Sequence, residues 1–144
     1  MNIHPVAFID ASGFTASYTA KYRAQAYEAS PGFRVLDLDL LLLEESRAAK
    51  ALLTKMKAFT GEIAEAKVAD LAPGAFMPWT QDEGLCFVMT LLPSPGLRVM
   101  CGVESAMPMV GDLLAVNRGV PHCLVNFAPF SAAVLYLVPE RADG

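Results

Sequence analysis

From Glu62 onward, short apolar stretches alternate with glycine and proline turns, and this pattern restricts the fold more than any other feature. Six stretches have the length and alternation of β-strands: Ile63–Asp70, Leu85–Leu92, Leu97–Cys101, Leu113–Val116, His122–Asn126 and Ala132–Val138. The turns carry Pro73-Gly74, Pro93-Ser94-Pro95-Gly96, Gly111-Asp112 and Gly119-Val120-Pro121. Evenly spaced strands joined by such turns predict a β-sandwich or jelly roll.

The first 61 residues have a different pattern, which predicts helices and short strands packed on this β core. Val6–Ile9 favours a strand, and Phe14, Tyr18 and Tyr22 recur at helical spacing, which predicts a helix over about 15–29 ended by Pro31-Gly32. Residues Arg34–Leu42 alternate like a half-buried strand. We expect one domain over 1–144, with 1–61 packed on a core of 62–140.

A second helix is predicted over about Glu44–Phe59. Ser46 can cap it, the acidic Glu44 and Glu45 suit its positive end, and Thr60-Gly61 stops it. Its expected apolar stripe consists of Ala49, Leu52, Leu53, Met56 and Phe59.

Charge and composition exclude several classes of partner. The net charge is −4 and no basic stretch exists, so we expect no nucleic-acid binding. The apolar run Val35–Leu43 is too short to span a bilayer, and the N-terminal residues lack the features of a signal peptide, so we expect a cytoplasmic protein without membrane contact.

Three widely spaced cysteines favour reduced, buried thiols. Because 54% of the residues are hydrophobic, we predict a homodimer.

Three segments resemble one known family. They are LAPGAFMPWTQD (Leu71–Asp82), GLRVMCGVES (Gly96–Ser105) and GDLLAVNRGVPHCLVN (Gly111–Asn126). In this order they are similar to the aspartyl/asparaginyl β-hydroxylase-like branch of the 2-oxoglutarate oxygenases, and more broadly to the double-stranded β-helix, or cupin, superfamily. The resemblance implies a mostly β fold, a double-stranded β-helix with one or two N-terminal helices.

The same resemblance implies a degenerate metal site. The family's first iron-binding histidine falls on Trp79 and the position two residues later, usually a carboxylate, falls on Gln81, whereas the distal histidine is retained as His122. No arginine stands near Phe130, where the family binds the 2-oxoglutarate carboxylate. A single imidazole does not hold ferrous iron against water, so we expect neither Fe(II) nor 2-oxoglutarate as cofactor. If a metal were held, its donors would be His122, Gln81 and Asp82.

The remaining polar and aromatic residues suggest a small-molecule pocket. The indole of Trp79 either packs the barrel mouth or forms an apolar wall of the pocket, filling the volume of the iron. His122 either acts as a general acid/base or is a residual histidine bonded to a backbone carbonyl. Arg118, at the end of a strand, is a better carboxylate ligand than Arg98. Further polar contacts are expected from a set of four residues: Gln81, Thr90, Asn117 and Asn126.

Three functions follow. The first is a degenerate hydroxylase-like cupin that binds a small molecule and catalyses a non-oxidative step, such as cyclisation or isomerisation, with His122 handling the proton. The second is an Fe(II)/2-oxoglutarate oxygenase with atypical ligands. The third is a non-catalytic, oligomeric interaction module, a pseudoenzyme.

Overall fold

Strands dominate the computed structural model, which describes residues 1–38, 46–92 and 95–140. The helical elements are α1 (Ser12–Ser17), a π-helical turn (Tyr18–Tyr22), a 3-10 turn (Arg23–Gln25) and α2 (Arg47–Thr60). The strands are β1 (Ile3–Phe8), β2 (Tyr27–Ser30), β3 (Phe33–Asp37), β4 (Ile63–Leu71), β5 (Phe76–Thr80), β6 (Leu85–Thr90), β7 (Leu97–Cys101), β8 (Glu104–Ala106), β9 (Asp112–Asn117), β10 (His122–Asn126) and β11 (Ala132–Pro139).

The strands form two antiparallel sheets. The larger has seven strands in the order β1-β9-β6-β11-β4-β3-β2, and the smaller has four in the order β5-β10-β7-β8. Strand β11 runs inside the larger sheet, where Tyr136 lies opposite Lys67 of β4 and Val88 of β6. The crossing order means that neighbours in space are distant in sequence, as in a jelly roll.

Alternation along the strands of the larger sheet gives the protein two cores. On β11, Leu135 and Leu137 pack with Leu52 and Met56 of α2, in a cluster on the helix-covered face. The residues in the opposite phase, such as Val134, pack with side chains of the smaller sheet. The larger sheet is therefore covered on both faces, and successive residues of β11 enter different cores.

The structure confirms the mostly β prediction and most of the predicted strands. It adds three short strands, β2, β5 and β8, whose three to five residues offer too little alternation to be recognised. The helix predicted to reach residue 29 ends at Gln25. Pro31-Gly32 instead turns the β2–β3 hairpin, where Gly32 adopts φ 76°. The part of the predicted strand 34–42 beyond Leu38 lies outside the described residues.

The predicted cap of α2 is confirmed, because the Ser46 side chain accepts a hydrogen bond from the Ala49 amide and the helix begins at Arg47. Its stop at Gly61 is also confirmed, with φ 73°. Phe59 is half exposed, so the buried stripe ends at Met56. The predicted start at Glu44 and Glu45 lies outside the described residues. Within the described ranges, no helix is long and apolar enough to cross a membrane.

A buried carboxylate anchors the N-terminal helical segment to the sheet. Asp70 of β4 is 5% exposed and points toward the helices. Its Oδ2 accepts from the Tyr18 hydroxyl at 2.8 Å and from Arg23 Nε at 2.7 Å, while Oδ1 accepts from Arg23 Nη2 at 3.0 Å. This forked, largely buried pair fixes the π-helical and 3-10 turns against β4.

Replacing this carboxylate should destabilise the protein more than breaking an exposed ion pair does. We expect Asp70→Asn to lower the free energy of unfolding by about 2 kcal/mol, because charged hydrogen bonds to Arg23 and Tyr18 are lost in a buried place. The matched control is Glu62→Gln, which breaks the exposed pair with Lys57 and should cost less than about 1 kcal/mol. Urea unfolding measures both, and equal losses would contradict the anchoring role.

Candidate functional site

A β-bulge in β5 determines which side chain faces His122. In the pairing of β10 with β5, His122 lies opposite Thr80 and Leu124 lies opposite Met77, so Pro78 and Trp79 together oppose the single residue Cys123. The extra residue reverses the phase of the strand, and Thr80 points to the same side as Met77. Proline has no amide hydrogen to give to a ladder, which suits Pro78 to this position.

His122 is 3% exposed and lies at the inner face of the smaller sheet. Its Nε2 is 3.3 Å from the Thr80 hydroxyl and 3.2 Å from the Tyr136 hydroxyl, which comes from the opposite sheet. The rings of His122 and Tyr136 are nearly parallel, with centroids 6.4 Å apart and an interplanar angle of 7°. The imidazole thus links the two sheets through two hydroxyl groups.

The protonation state of His122 follows from its surroundings. Burial lowers the pKa of His122, so the ring is neutral near pH 7. Nδ1 lies 3.3 Å from the Val120 carbonyl oxygen, which only accepts, so Nδ1 carries the proton. The lone pair of Nε2 therefore faces Thr80 and Tyr136 and accepts a hydrogen bond from a hydroxyl. The backbone-carbonyl bond considered from the sequence is present.

Tyr136 connects His122 to further groups. Burial, and then the neighbouring Cys86 thiol, raise the pKa of Tyr136 well above its usual range, which keeps the hydroxyl neutral. Lys67 Nζ lies 5.0 Å from the centre of its ring. Burial raises the pKa of Cys86 to about 11. All three cysteines, which lie in the described part of the chain, are buried free thiols, as predicted.

Thr80 and Tyr136 open onto a cavity of about 330 Å³ at the mouth between the two sheets. This volume is at the lower end of the range for small-molecule sites. The other residues that line it are the apolar Phe33, Met77 and Pro78, the amide Gln81, and the charged Glu65, Lys67, Asp82 and Arg118. His122 lies behind the two hydroxyl groups, so a ligand in this cavity would meet Tyr136 first.

The structure does not bring Trp79 to this cavity. Its side chain is 51% exposed and is outside the lining, because the bulge places Thr80 in the phase expected for position 79. The expected indole in the metal volume is therefore replaced by a hydroxyl. Gln81 does line the cavity, where its Nε2 donates to the Gly119 carbonyl at 2.8 Å.

The other predicted polar residues divide into two groups. Arg118 lines the cavity and donates through Nη2 to Asp82 Oδ2 at 2.9 Å, whereas Arg98 bonds to nearby backbone carbonyls. Three of them lie away from the cavity lining, namely Thr90, Asn117 and Asn126. Asn126 Nδ2 donates to the carbonyls of Leu71 and Phe130, and Asn117 bonds to Asn2 and the Gly119 amide. The two asparagines hold loops in place.

Thr90 lies deeper between the sheets. It is 1% exposed, and its hydroxyl has no hydrogen-bond partner among the residues described. Its pairing with Val134 places it two residues along β11 from Tyr136, away from the mouth. The sequence predicted Thr90 as a ligand contact, but Thr90 is not part of the cavity lining.

The residues present do not fit a ferrous centre. The Nε2 lone pair of His122 faces two hydroxyl groups, the Gln81 amide is committed to Gly119, and the Asp82 carboxylate is bound to Arg118. In the described ranges, no three His, Cys, Asp or Glu side chains are grouped as a metal would need. His4 is exposed, with Nε2 2.7 Å from the Met1 carbonyl oxygen. The alternative donors His122, Gln81 and Asp82 thus have other partners.

Sequence reasoning missed Tyr136 and Lys67, which complete the site from the larger sheet. A signal was present in the alternation of β11, where Tyr136 shares the phase of Ala132 and Val134 that faces the inner core. Lys67 shares the phase of Ala69 and Leu71 on β4. The residues could be assigned to the inner face, but their approach to His122 depends on how two distant sheets pack.

Comparisons with known proteins bear on the fold. A scan against protein-family models and a search of curated proteins found no match. Among solved structures, a Pseudomonas putida prolyl-4-hydroxylase is similar with TM-score 0.63 and 17% identity, covering 98% of this chain and 94% of that chain. KdgF from Halomonas sp. has TM-score 0.53 and 15% identity, with 85% and 93% covered.

A sugar phosphate isomerase from a cupin superfamily, from Silicibacter pomeroyi, has TM-score 0.53 and 20% identity, with 77% of this chain and 61% of that chain covered. At such identities the likeness shows the fold alone. The chain therefore has the double-stranded β-helix, or cupin, fold, as the sequence predicted. These similarities do not distinguish the hydroxylase-like branch from the rest of the superfamily.

Burial of His122 should make stability depend on pH. Because the pKa of His122 is lower in the folded protein than its ordinary value of 6.5, the unfolded chain binds the proton more tightly. Stability should therefore fall as the pH drops below about 6.5. We expect His122→Gln to flatten the decrease between about pH 7 and pH 5, whereas the control His4→Gln retains it. Thermal unfolding across this range measures the effect, and an unchanged slope in His122→Gln would contradict it.

Proposed function

We propose that the protein is a hydroxylase-like cupin without the iron and 2-oxoglutarate site, which binds a small molecule in the mouth cavity and catalyses a non-oxidative proton transfer. The observation that carries this proposal is the contact of His122 Nε2 with the hydroxyl of Tyr136, a residue that lines the cavity. A neutral imidazole behind a neutral phenol provides a proton acceptor and a donor at the same place. The bound molecule would be the small-molecule ligand that the sequence predicts.

The chemistry follows from the two protonation states. A proton removed from a ligand carbon beside a carbonyl would pass to Tyr136 Oη while the tyrosine's own proton moves to His122 Nε2. A concerted transfer avoids a tyrosinate, which the raised pKa of Tyr136 disfavours. The negative charge on the ligand would develop beside Lys67 and Arg118, which line the same cavity. If the deprotonated carbon carries a hydroxyl group, the ligand becomes an enediolate. Return of the carbon proton from His122 through Tyr136 to the former carbonyl carbon, with the hydroxyl proton passing to the former carbonyl oxygen, would complete an isomerisation.

In this proposal Tyr136 is the catalytic residue and His122 acts through it. The predicted role of His122 as a proton handler stays a prediction. Isomerisation is also the activity in the name of one structural neighbour, the sugar phosphate isomerase, so the cupin fold supports this kind of reaction. The oxygenase alternative gains nothing from the donor set around His122. Cytoplasmic location remains part of the proposal.

Hydrogen–deuterium exchange tests the proton step without knowledge of the product. We would incubate small oxo acids, sugar acids and sugar phosphates with the protein in D₂O and detect carbon-bound deuterium by NMR. The wild type should catalyse exchange of at least one compound, and Tyr136→Phe should slow it by about 100-fold, because the relay hydroxyl is lost. The control Tyr27→Phe, on an exposed strand, should leave the rate unchanged.

His122→Gln should also move the pH profile of exchange, which a merely structural role would not do. If Tyr136→Phe incorporates deuterium as fast as the wild type does, the proposed proton relay through Tyr136 is contradicted. Binding of compounds without exchange in any variant would leave a binding protein rather than an enzyme.

A second candidate is an oligomeric module, which exposed aromatic side chains favour. Phe76 and Trp79 of β5 are 52% and 51% exposed, and Phe127, in the loop after β10, is 68% exposed. Phe76 and Trp79 share the outer face of β5, because Met77 and Thr80 take the inner positions, and exposed apolar patches commonly mark protein interfaces. We propose a homodimer that uses this side of the smaller sheet.

Light scattering after size exclusion should give twice the mass of the chain. Phe76→Lys combined with Trp79→Lys should give a monomer, because burying two ammonium groups opposes association. Val103→Lys, at an exposed turn, is the control and should remain dimeric. A wild-type monomer at high concentration would contradict the proposal.

A further inference from the structure

Two cations from different elements line the mouth cavity. Lys67 comes from β4 and Arg118 follows the end of β9. Their side chains are 23% and 16% exposed, so both charges are substantially sheltered from water. Sheltered cations require anionic or hydrogen-bonding partners, and each has one carboxylate partner on the solvent side of the cavity.

Both of these carboxylates are more than half exposed, so water competes with their bonds to the cations. Lys67 Nζ is 3.7 Å from Glu65 Oε1, longer than a charged hydrogen bond, and Glu65 is 52% exposed. Arg118 Nη2 is 2.9 Å from Asp82 Oδ2, and Asp82 is 55% exposed. Exposed carboxylates of this kind are easily exchanged for water or another anion.

In the Arg23–Asp70 pair of the same protein, both donors on one edge of the guanidinium form hydrogen bonds. There the carboxylate accepts from both Nε and Nη2 and is only 6% exposed. Arg118 instead uses Nη2 on Asp82, while its Nε is buried without a hydrogen-bond partner among the described residues. One side of the planar fork that matches a carboxylate is therefore not used.

We propose that the ligand of this cavity carries a carboxylate, which replaces Asp82 on Arg118 and lies near Lys67. In the empty site, Arg118 Nε is buried and Nη2 donates to Asp82. When Asp82 moves away and the guanidinium rotates toward the cavity, both nitrogens can donate hydrogen bonds to the carboxylate of the ligand. Asp82 is then an internal competitor that occupies Arg118 in the empty site. This inference relies on the proposed function for the location of the cavity, but not for the proton step.

A carboxylate suits the lining better than other charged groups. Its two oxygens in one plane match the guanidinium fork, and its single charge is balanced by one cation. A phosphate dianion would place two charges on one group beside the carboxylates of Glu65 and Asp82, which remain at the mouth, whereas a dicarboxylate such as succinate has only one charge at each end. An ammonium ligand would instead be attracted to those carboxylates and repelled by Lys67 and Arg118.

The test measures succinate binding by isothermal titration to the full chain. The wild type should show saturable binding, and Asp82→Asn should bind about fivefold more tightly, because a charged but exposed competitor is removed. Asparagine retains the acceptor for the Glu83 amide that Asp82 Oδ1 provides, so the turn is preserved. Arg118→Met should lose saturable binding, and Arg118→Lys should bind less tightly than the wild type. Arg98→Met is the matched control and should bind like the wild type.

Several results would overturn the inference. They are the absence of saturable succinate binding, weaker or unchanged binding in Asp82→Asn, and binding by Arg118→Met as tight as by the wild type. Tighter binding of putrescine or inorganic phosphate than of succinate would assign the cavity to another ligand class. Thermal unfolding shows whether each variant is folded. If Arg118→Met does not fold, the succinate affinity of Asp82→Asn alone decides whether the inference holds.

The failure of this inference can be distinguished from the failure of the proposed function. Succinate binding that follows the pattern above, without deuterium exchange in any compound, would remove the proton step and leave carboxylate recognition. Exchange confined to compounds without a carboxylate would remove carboxylate recognition and leave the proton step.

Discussion

The larger sheet is buried on both faces, and the rest of the structure depends on this constraint. Its central strand β11 sends Leu135 and Leu137 toward helix α2 and the intervening Tyr136 toward the smaller sheet. A shift of one residue in its pairing would exchange the two cores and place a phenol among the helices. The position of the hydroxyl group beside His122 is therefore fixed by hydrophobic burial rather than by any local motif.

The sequence predicted those parts of the fold in which local chemistry and packing agree. The longer strands were predicted from their alternation, and the cap of α2 was predicted from Ser46, whose side chain accepts the expected hydrogen bond. The short strand β5 was missed because Phe76–Thr80 has one buried residue and a proline at its centre. The buried Asp70 was also missed, since its partners Tyr18 and Arg23 are distant in sequence.

The candidate site was predicted only in part. The sequence predicted His122 and Arg118 as site residues. The structure buries His122 and places Arg118 in the cavity lining, while their roles stay predictions. Trp79 was expected in the volume of the metal because an alignment counts residues, whereas the geometry of a strand also depends on bulges. Asn117 and Asn126 were expected as ligand contacts, but they satisfy backbone groups of neighbouring loops. Such roles depend on loop geometry that composition does not reveal.

The bulge at Pro78 and Trp79 also decides which substitution could give this scaffold a second imidazole beside His122. Replacing Trp79 by histidine would add an imidazole on the outer side of β5, opposite to the side that Thr80 shares with Met77. A histidine at position 80 would instead stand next to His122 Nε2, where the Thr80 hydroxyl now lies. One extra residue in a strand can therefore determine which neighbouring position is able to acquire metal chemistry.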